Sequence, residues 1–194
     1  MNISHENEFI FIHVPKTAGL SISSAIGLDE VKHFDQETII KKQSSGLDVS
    51  GYYKFAFCRN PWDRLLSLYF YVTTGTELIS DNKKMNKMII NFDTFCKLVH
   101  FDNYICNPFV WDVHYKPQLD FIDPTDIDFV GKFENLQEDF DIICDKINIP
   151  RQQLPHKNKS KHKHYTEYYD DETRQIVAEK YAKDIERFGY KFGE

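Results

Sequence analysis

Two short stretches carry residue types that suit anion chemistry. In the first, Lys16-Thr17-Ala18-Gly19-Leu20-Ser21 gathers a mobile cation, two hydroxyls and small residues directly after Pro15. If a helix starts within this stretch, its free N–H groups and the positive end of its dipole favour a phosphate or sulfate there. In the second, Arg59-Asn60-Pro61-Trp62-Asp63-Arg64 places a guanidinium just before a proline suited to a first helical turn, and Ser67 lies two turns after Arg59. A guanidinium gives a fork of donors to a phosphate, and a serine adds a hydroxyl. Taken alone, each stretch has a plain alternative: a tight turn with a solvent-facing lysine, and an Arg59–Asp63 pair with Ser67 as a small helix residue.

The elements around these stretches strengthen the first reading. Phe9-Ile10-Phe11-Ile12-His13-Val14 is a near-continuous apolar, β-rich run, as expected of a buried and parallel strand. Ile22, Ala25 and Ile26 then recur at helical spacing, and Gly27 ends the pattern. Tyr53-Lys54-Phe55-Ala56-Phe57-Cys58 reads as a second strand. Leu65, Leu66, Leu68, Tyr69 and Val72 form the apolar face of the helix after it. Two strand–loop–helix units argue for an α/β fold, and open α/β sheets bind ligands beyond the carboxyl ends of their strands.

A short strand is expected near Val31 to Phe34, and residues 35–50 are polar and weakly patterned. Residues 75–120 read as a helical insertion, with a helix near 81–100 and a loop from Asn103 to Pro117. Residues 127–131 form a third strand candidate, with a helix carrying Leu136, Phe140, Ile143 and Ile147 after it. The run HKNKSKHKH at 156–164 is an abrupt basic loop. Beyond it Val177, Tyr181, Ile185 and Phe188 share the face of one last helix, capped by Asp170 or Asp171.

At 194 residues the chain suits a single domain over 1–194. With 41% hydrophobic and 15% aromatic residues, general disorder is excluded. The balance of 24 Lys+Arg against 30 Asp+Glu gives −6, which argues against a nucleic-acid binder. No run approaches the length of a transmembrane helix, and the polar, acidic stretch Met1 to Glu8 does not read as a signal peptide. Cys58, Cys96, Cys106 and Cys144 are too widely spaced for a metal finger. A cytoplasmic protein, at most membrane-peripheral, is expected.

His13-Val14-Pro15-Lys16-Thr17-Ala18-Gly19-Leu20-Ser21-Ile22 resembles the 5′-phosphosulfate-binding motif of the sulfotransferases. The stretch from Phe57 to Tyr69 resembles their 3′-phosphate-binding motif. The closest likeness is to the carbohydrate branch, which includes heparan and chondroitin sulfotransferases and bacterial relatives. The segments His114…Pro117-Gln118 and Asp128 to Leu136, and the basic stretch ending at Tyr165, extend the resemblance along nearly the whole chain. Leu20 stands where relatives often carry Thr or Ser, which removes one donor.

The resemblance implies a P-loop NTPase-like, three-layer α/β fold with a mainly parallel central sheet flanked by helices. It implies binding of 3′-phosphoadenosine 5′-phosphosulfate (PAPS) as co-substrate, without a metal. The reaction implied is transfer of the sulfuryl group to a hydroxyl or amine of a carbohydrate or a small hydroxylated acceptor. Lys16, Thr17, Ala18, Gly19, Ser21 and Ile22 would meet the 5′ group. Arg59 and Ser67 would hold the 3′-phosphate, with Ser160, Lys161 and Tyr165 on a basic lid over the nucleotide. Lys16 would meet charge on the leaving oxygen. His33 is the first candidate for the base that takes the acceptor proton, and His114 is the competitor. His13, inside a buried strand, reads as a core histidine, and His156, His162 and His164 as part of a solvated loop rather than a metal site.

Two other functions fit parts of the pattern. An ATP-dependent kinase on a related fold would require a Walker A order, GxxxxGK[ST], whereas Lys16 comes first in this loop. A non-catalytic module that kept the nucleotide pocket would bind the desulfonated nucleotide without turnover.

Overall fold

In the computed structural model, residues 2–29, 31–74, 91–100, 113–155 and 163–194 are described. They fall into two compact units. One comprises Met1–Arg59 with Gln118–Lys159, the other Asn60–Pro117 with Ser160–Glu194.

The first unit holds a four-stranded sheet in the order β1 (Ile3–Ser4), β2 (Phe9–Ile12), β3 (Tyr53–Cys58), β4 (Phe129–Lys132). β2, β3 and β4 run parallel, and β1 pairs with β2 antiparallel. β2 and β3 are apolar in sequence because both their faces lie out of water. Phe9, Phe11, Phe55 and Phe57 pack with Ile22 of α1 (Gly19–Ala25), with Ile26 just after it, and with Phe140, Ile143 and Cys144 of α5 (Leu136–Lys146). The alternate residues Ile10, Ile12, Ala56 and Cys58 are equally buried. Gly131 stands opposite Phe57 in the register, and a Cβ there would meet the Phe57 ring at 2.6 Å. The glycine makes room for that ring.

Two features of this unit differ from expectation. Val31 to Phe34 form no strand. The free edge of β2 is taken by the residues around β1, and Asn2 ties the Val31–Phe34 segment down by its side chain instead. The Asn2 Nδ2 group donates to the carbonyls of Phe11 and Lys32 at 3.0 and 2.9 Å, and its Oδ1 accepts from the Lys32 amide at 2.9 Å. The weakly patterned stretch that follows contains α2 (Gln36–Gln43). Asp35 starts it, accepting from the Thr38 amide and hydroxyl at 2.8 Å each. Apart from the half-buried Ile40, its apolar anchor is the buried Ile39, too little for a periodic signal.

The second unit is helical: α3 (Pro61–Thr74), α4 (Phe92–His100), α6 (Asp171–Lys180) and α7 (Ala182–Phe188). Trp62, Leu65, Leu66 and Leu68 of α3 pack against Phe92, Phe95, Cys96 and Val99 of α4 and Val177 of α6. The single last helix read from the sequence is two helices. The chain breaks at Tyr181, whose ring is buried and whose hydroxyl donates to the Tyr115 carbonyl at 2.8 Å. α6 begins with a reciprocal cap between Asp170 and Thr173. Of the helix expected near 81–100, residues 92–100 form α4, and 81–90 lie outside the described residues. No helix among the described residues is long and apolar enough to cross a membrane.

Candidate active site

The loop after β2 is wound tightly. Lys16 and Ala18 both adopt left-handed backbone angles, with φ of 70° and 64°. For residues bearing a Cβ this conformation is uncommon and strained, and such strain clusters where a loop is shaped for a ligand. Thr17 braces the turn by donating its hydroxyl to the Val14 carbonyl at 2.9 Å. That hydroxyl holds the shape of the loop. The Ser21 and Ile22 amides close the first helical turn onto the Ala18 carbonyl. The Ile22 side chain lies in the core, and Ser21 is buried at the start of α1. Among the described residues, the amides of Ala18, Gly19 and Leu20 meet no backbone acceptor. These three form the donor set of the loop.

Gly19 has a more specific task than general openness. A Cβ on it would lie 1.7 Å from Nε2 of His13, so only glycine leaves space for that imidazole. The His13 ring stacks on Phe11, with centroids 5.6 Å apart and planes 18° apart, and it meets the His33 ring at 4.2 Å. Sequence reasoning missed this contact, although the alternation that placed His13 in the strand was its signal.

His33 is half-buried, and its Nδ1 lies 3.2 Å from the His13 carbonyl oxygen. A carbonyl can only accept, so Nδ1 carries the proton and Nε2 keeps its lone pair. Burial pushes the His33 pKa below the ordinary histidine value. The bond to His13 opposes that shift, and the Lys16 charge adds to it.

Arg59 leaves β3 at its carboxyl end and is buried. Its Nη1 donates to the Lys16 carbonyl at 3.1 Å, and its guanidinium lies 4.0 Å from the Phe133 ring centroid. Gln118, fully buried, clamps the Arg59 backbone. Its Oε1 accepts from the Arg59 amide and its Nε2 donates to the Arg59 carbonyl, both at 2.9 Å. The sequence marks Gln118 only as part of a resembling segment, and the structure gives it this positioning role. Burial and the neighbouring Arg59 charge lower the Lys16 pKa to about 8. The first unit thus brings Lys16, Arg59 and His33 to the ends of adjacent parallel strands.

The second unit carries the other candidates. Ser67 is buried in α3. His114 is half-buried and stacks on Tyr71, with centroids 6.3 Å apart and planes 20° apart. The segment around it is pinned through its backbone, because Tyr181 bonds the Tyr115 carbonyl and Arg64 donates to the Lys116 carbonyl. Tyr165 is buried. Its hydroxyl accepts from Asn60 Nδ2 at 3.2 Å and from the Gly193 amide at 2.6 Å, and donates to the Glu194 carbonyl at 3.1 Å. Ser160, Lys161, His156 and His162 lie outside the described residues, as do Trp111 and Cys106. Among the described residues, no group of His, Cys, Asp and Glu could hold a metal ion.

Human carbohydrate sulfotransferase 9 is 26% identical over 170 residues, which cover 75% of this chain but only 37% of the human protein. An uncharacterized protein of Archaeoglobus fulgidus is 30% identical over 107 residues, covering 53% of this chain and 72% of its own length. No solved structure matches. The model of the sulfotransferase family matches residues 1–191, nearly end to end. On that match the chain belongs to the sulfotransferase family.

Proposed function

We propose that the protein transfers the sulfuryl group of PAPS to a hydroxyl or amine of a carbohydrate-type acceptor. The observation that carries this reading is the pairing of two cations in the first unit. Arg59 binds the Lys16 backbone, and its charge, together with burial, depresses the Lys16 pKa. Bringing like charges together away from water costs free energy, and anionic groups bound at them offset that cost. PAPS supplies anionic groups at both its 5′ and 3′ ends. The amides of Ala18, Gly19 and Leu20 beside Lys16 suit the 5′ end, and the Arg59 fork suits the 3′-phosphate. The resemblance assigns Ser21, Ile22, Ser67, Ser160 and Lys161 to the same nucleotide. Since the Tyr165 hydroxyl is engaged within its own unit, its part in this reading is to anchor the chain that follows the basic stretch.

The expected chemistry is in-line. The acceptor oxygen forms a bond to sulfur while the bond from sulfur to the bridging 5′-phosphate oxygen breaks. His33 Nε2 takes the acceptor proton, and the Lys16 ammonium offsets charge growing on the leaving oxygen. The products are the sulfated acceptor and 3′-phosphoadenosine 5′-phosphate (PAP). His114 is the alternative base, and no metal is required. Within this reading residues 1–194 act as one P-loop-like, three-layer domain, with 75–120 on the acceptor side. The buried thiols Cys58, Cys96 and Cys144 suit a reducing, cytoplasmic setting.

The test is incubation with PAPS labelled in its sulfate, a set of glycans and a chelator. The expected result is label on a glycan with the wild type and none with Lys16→Ala or His33→Gln. Turnover that survives both substitutions would overturn the assignment.

A further inference from the structure

His13 is absent from the chemistry above, yet it meets both Gly19 of the loop and His33. Its ring fills the space that Gly19 leaves at the start of α1 and stacks on Phe11. The opposite neighbour is the His33 ring, 4.2 Å away and tilted by 48°. Its carbonyl accepts the Nδ1 proton of His33 at 3.2 Å. One residue therefore fixes both the orientation and the tautomer of His33, and does so from just beyond β2, where the chain enters the Lys16 loop.

We propose that His13 is a positioning residue that seats His33 against the Lys16 loop, with Gly19 serving as the socket for its ring. This rests on the reading of His33 as base. A core residue with no tie to catalysis would need neither a glycine socket nor a ring contact with the base. Lys16 is a charge that acts on His33 directly, and Arg59 acts in turn on Lys16. Asp35, two residues on, is engaged with Thr38.

The test combines kinetics with a probe of His33 that does not depend on turnover. In the wild type, nitrogen NMR of the His33 ring is expected to show the Nδ1–H tautomer, titrating below the ordinary histidine value. His13→Ala is expected to leave PAP affinity within about threefold, to lower kcat by about tenfold to a hundredfold, and to move the His33 titration upward as water reaches the ring. The acid limb of the rate profile moves up with it. Gly19→Ala, which expels the ring without removing it, is expected to shift the His33 titration the same way, and it stands in if His13→Ala does not fold. An unmoved His33 titration and an unchanged kcat in the folded variants would overturn the positioning role. Full turnover in His33→Gln would instead overturn the reading of the base, whatever His13 does.

Discussion

A lysine held beside an arginine and partly out of water gives up its proton more readily than one in solvent. With its pKa at about 8, Lys16 is charged near neutrality and loses that charge above it. PAP affinity should therefore be flat between about pH 6 and 7 and weaken several-fold by about pH 9, measured by calorimetry. His33 gives the opposite limb. Its pKa lies below the ordinary histidine value, so kcat/KM should hold as pH falls toward 6.5, the unperturbed value, and drop only below it. Replacing Lys16 by Ala should lower kcat by about a hundredfold to a thousandfold, the usual cost of losing one charge-stabilising donor. Arg59→Ala should weaken PAP binding by about 1.5–3 kcal/mol. Arg59→Lys should recover little of it, because lysine has neither the fork nor the flat face that lies over Phe133.

At the scale of elements, what could be read from the sequence depended on how periodic each segment is. β2 and β3 were legible because a strand buried on both faces is apolar without interruption. α3 and α5 were legible because each buries a full stripe. β1 is two residues long, and its neighbour Asn2 acts through a side-chain amide, which no period reveals. α2 is held by a cap and little apolar packing, so its signal was one aspartate. The break at Tyr181 was hidden because the apolar spacing continues across it, while the Tyr181 hydroxyl bonds a carbonyl distant in sequence. The same logic holds for the site. Lys16 and Arg59 announce themselves by charge after a strand, whereas Gln118 and the fit of His13 into Gly19 depend on contacts that only the folded chain brings together. Two substitutions test these elements by denaturant unfolding. Gly131→Ala should cost about 1–3 kcal/mol through overpacking against Phe57. Asp170→Ala should cost about 1 kcal/mol by removing the cap of α6.

At the scale of the molecule, the proposed anion site and base both lie in the first unit, at the ends of a parallel sheet. The second is a helical assembly in which Arg64, Tyr165 and Tyr181 pin loops through their backbones. Family membership and the likeness to a carbohydrate sulfotransferase point to sulfuryl transfer, and the paired cations say why the donor should be a nucleotide with two anionic ends. The most direct test compares PAP with adenosine 5′-monophosphate, which lacks the 3′-phosphate, by calorimetry on the wild type and Arg59→Ala. PAP should bind the wild type more tightly than adenosine 5′-monophosphate by at least about tenfold, as expected for one charge-assisted pair, and Arg59→Ala should remove most of that difference. Equal binding of the two nucleotides by the wild type would contradict that reading.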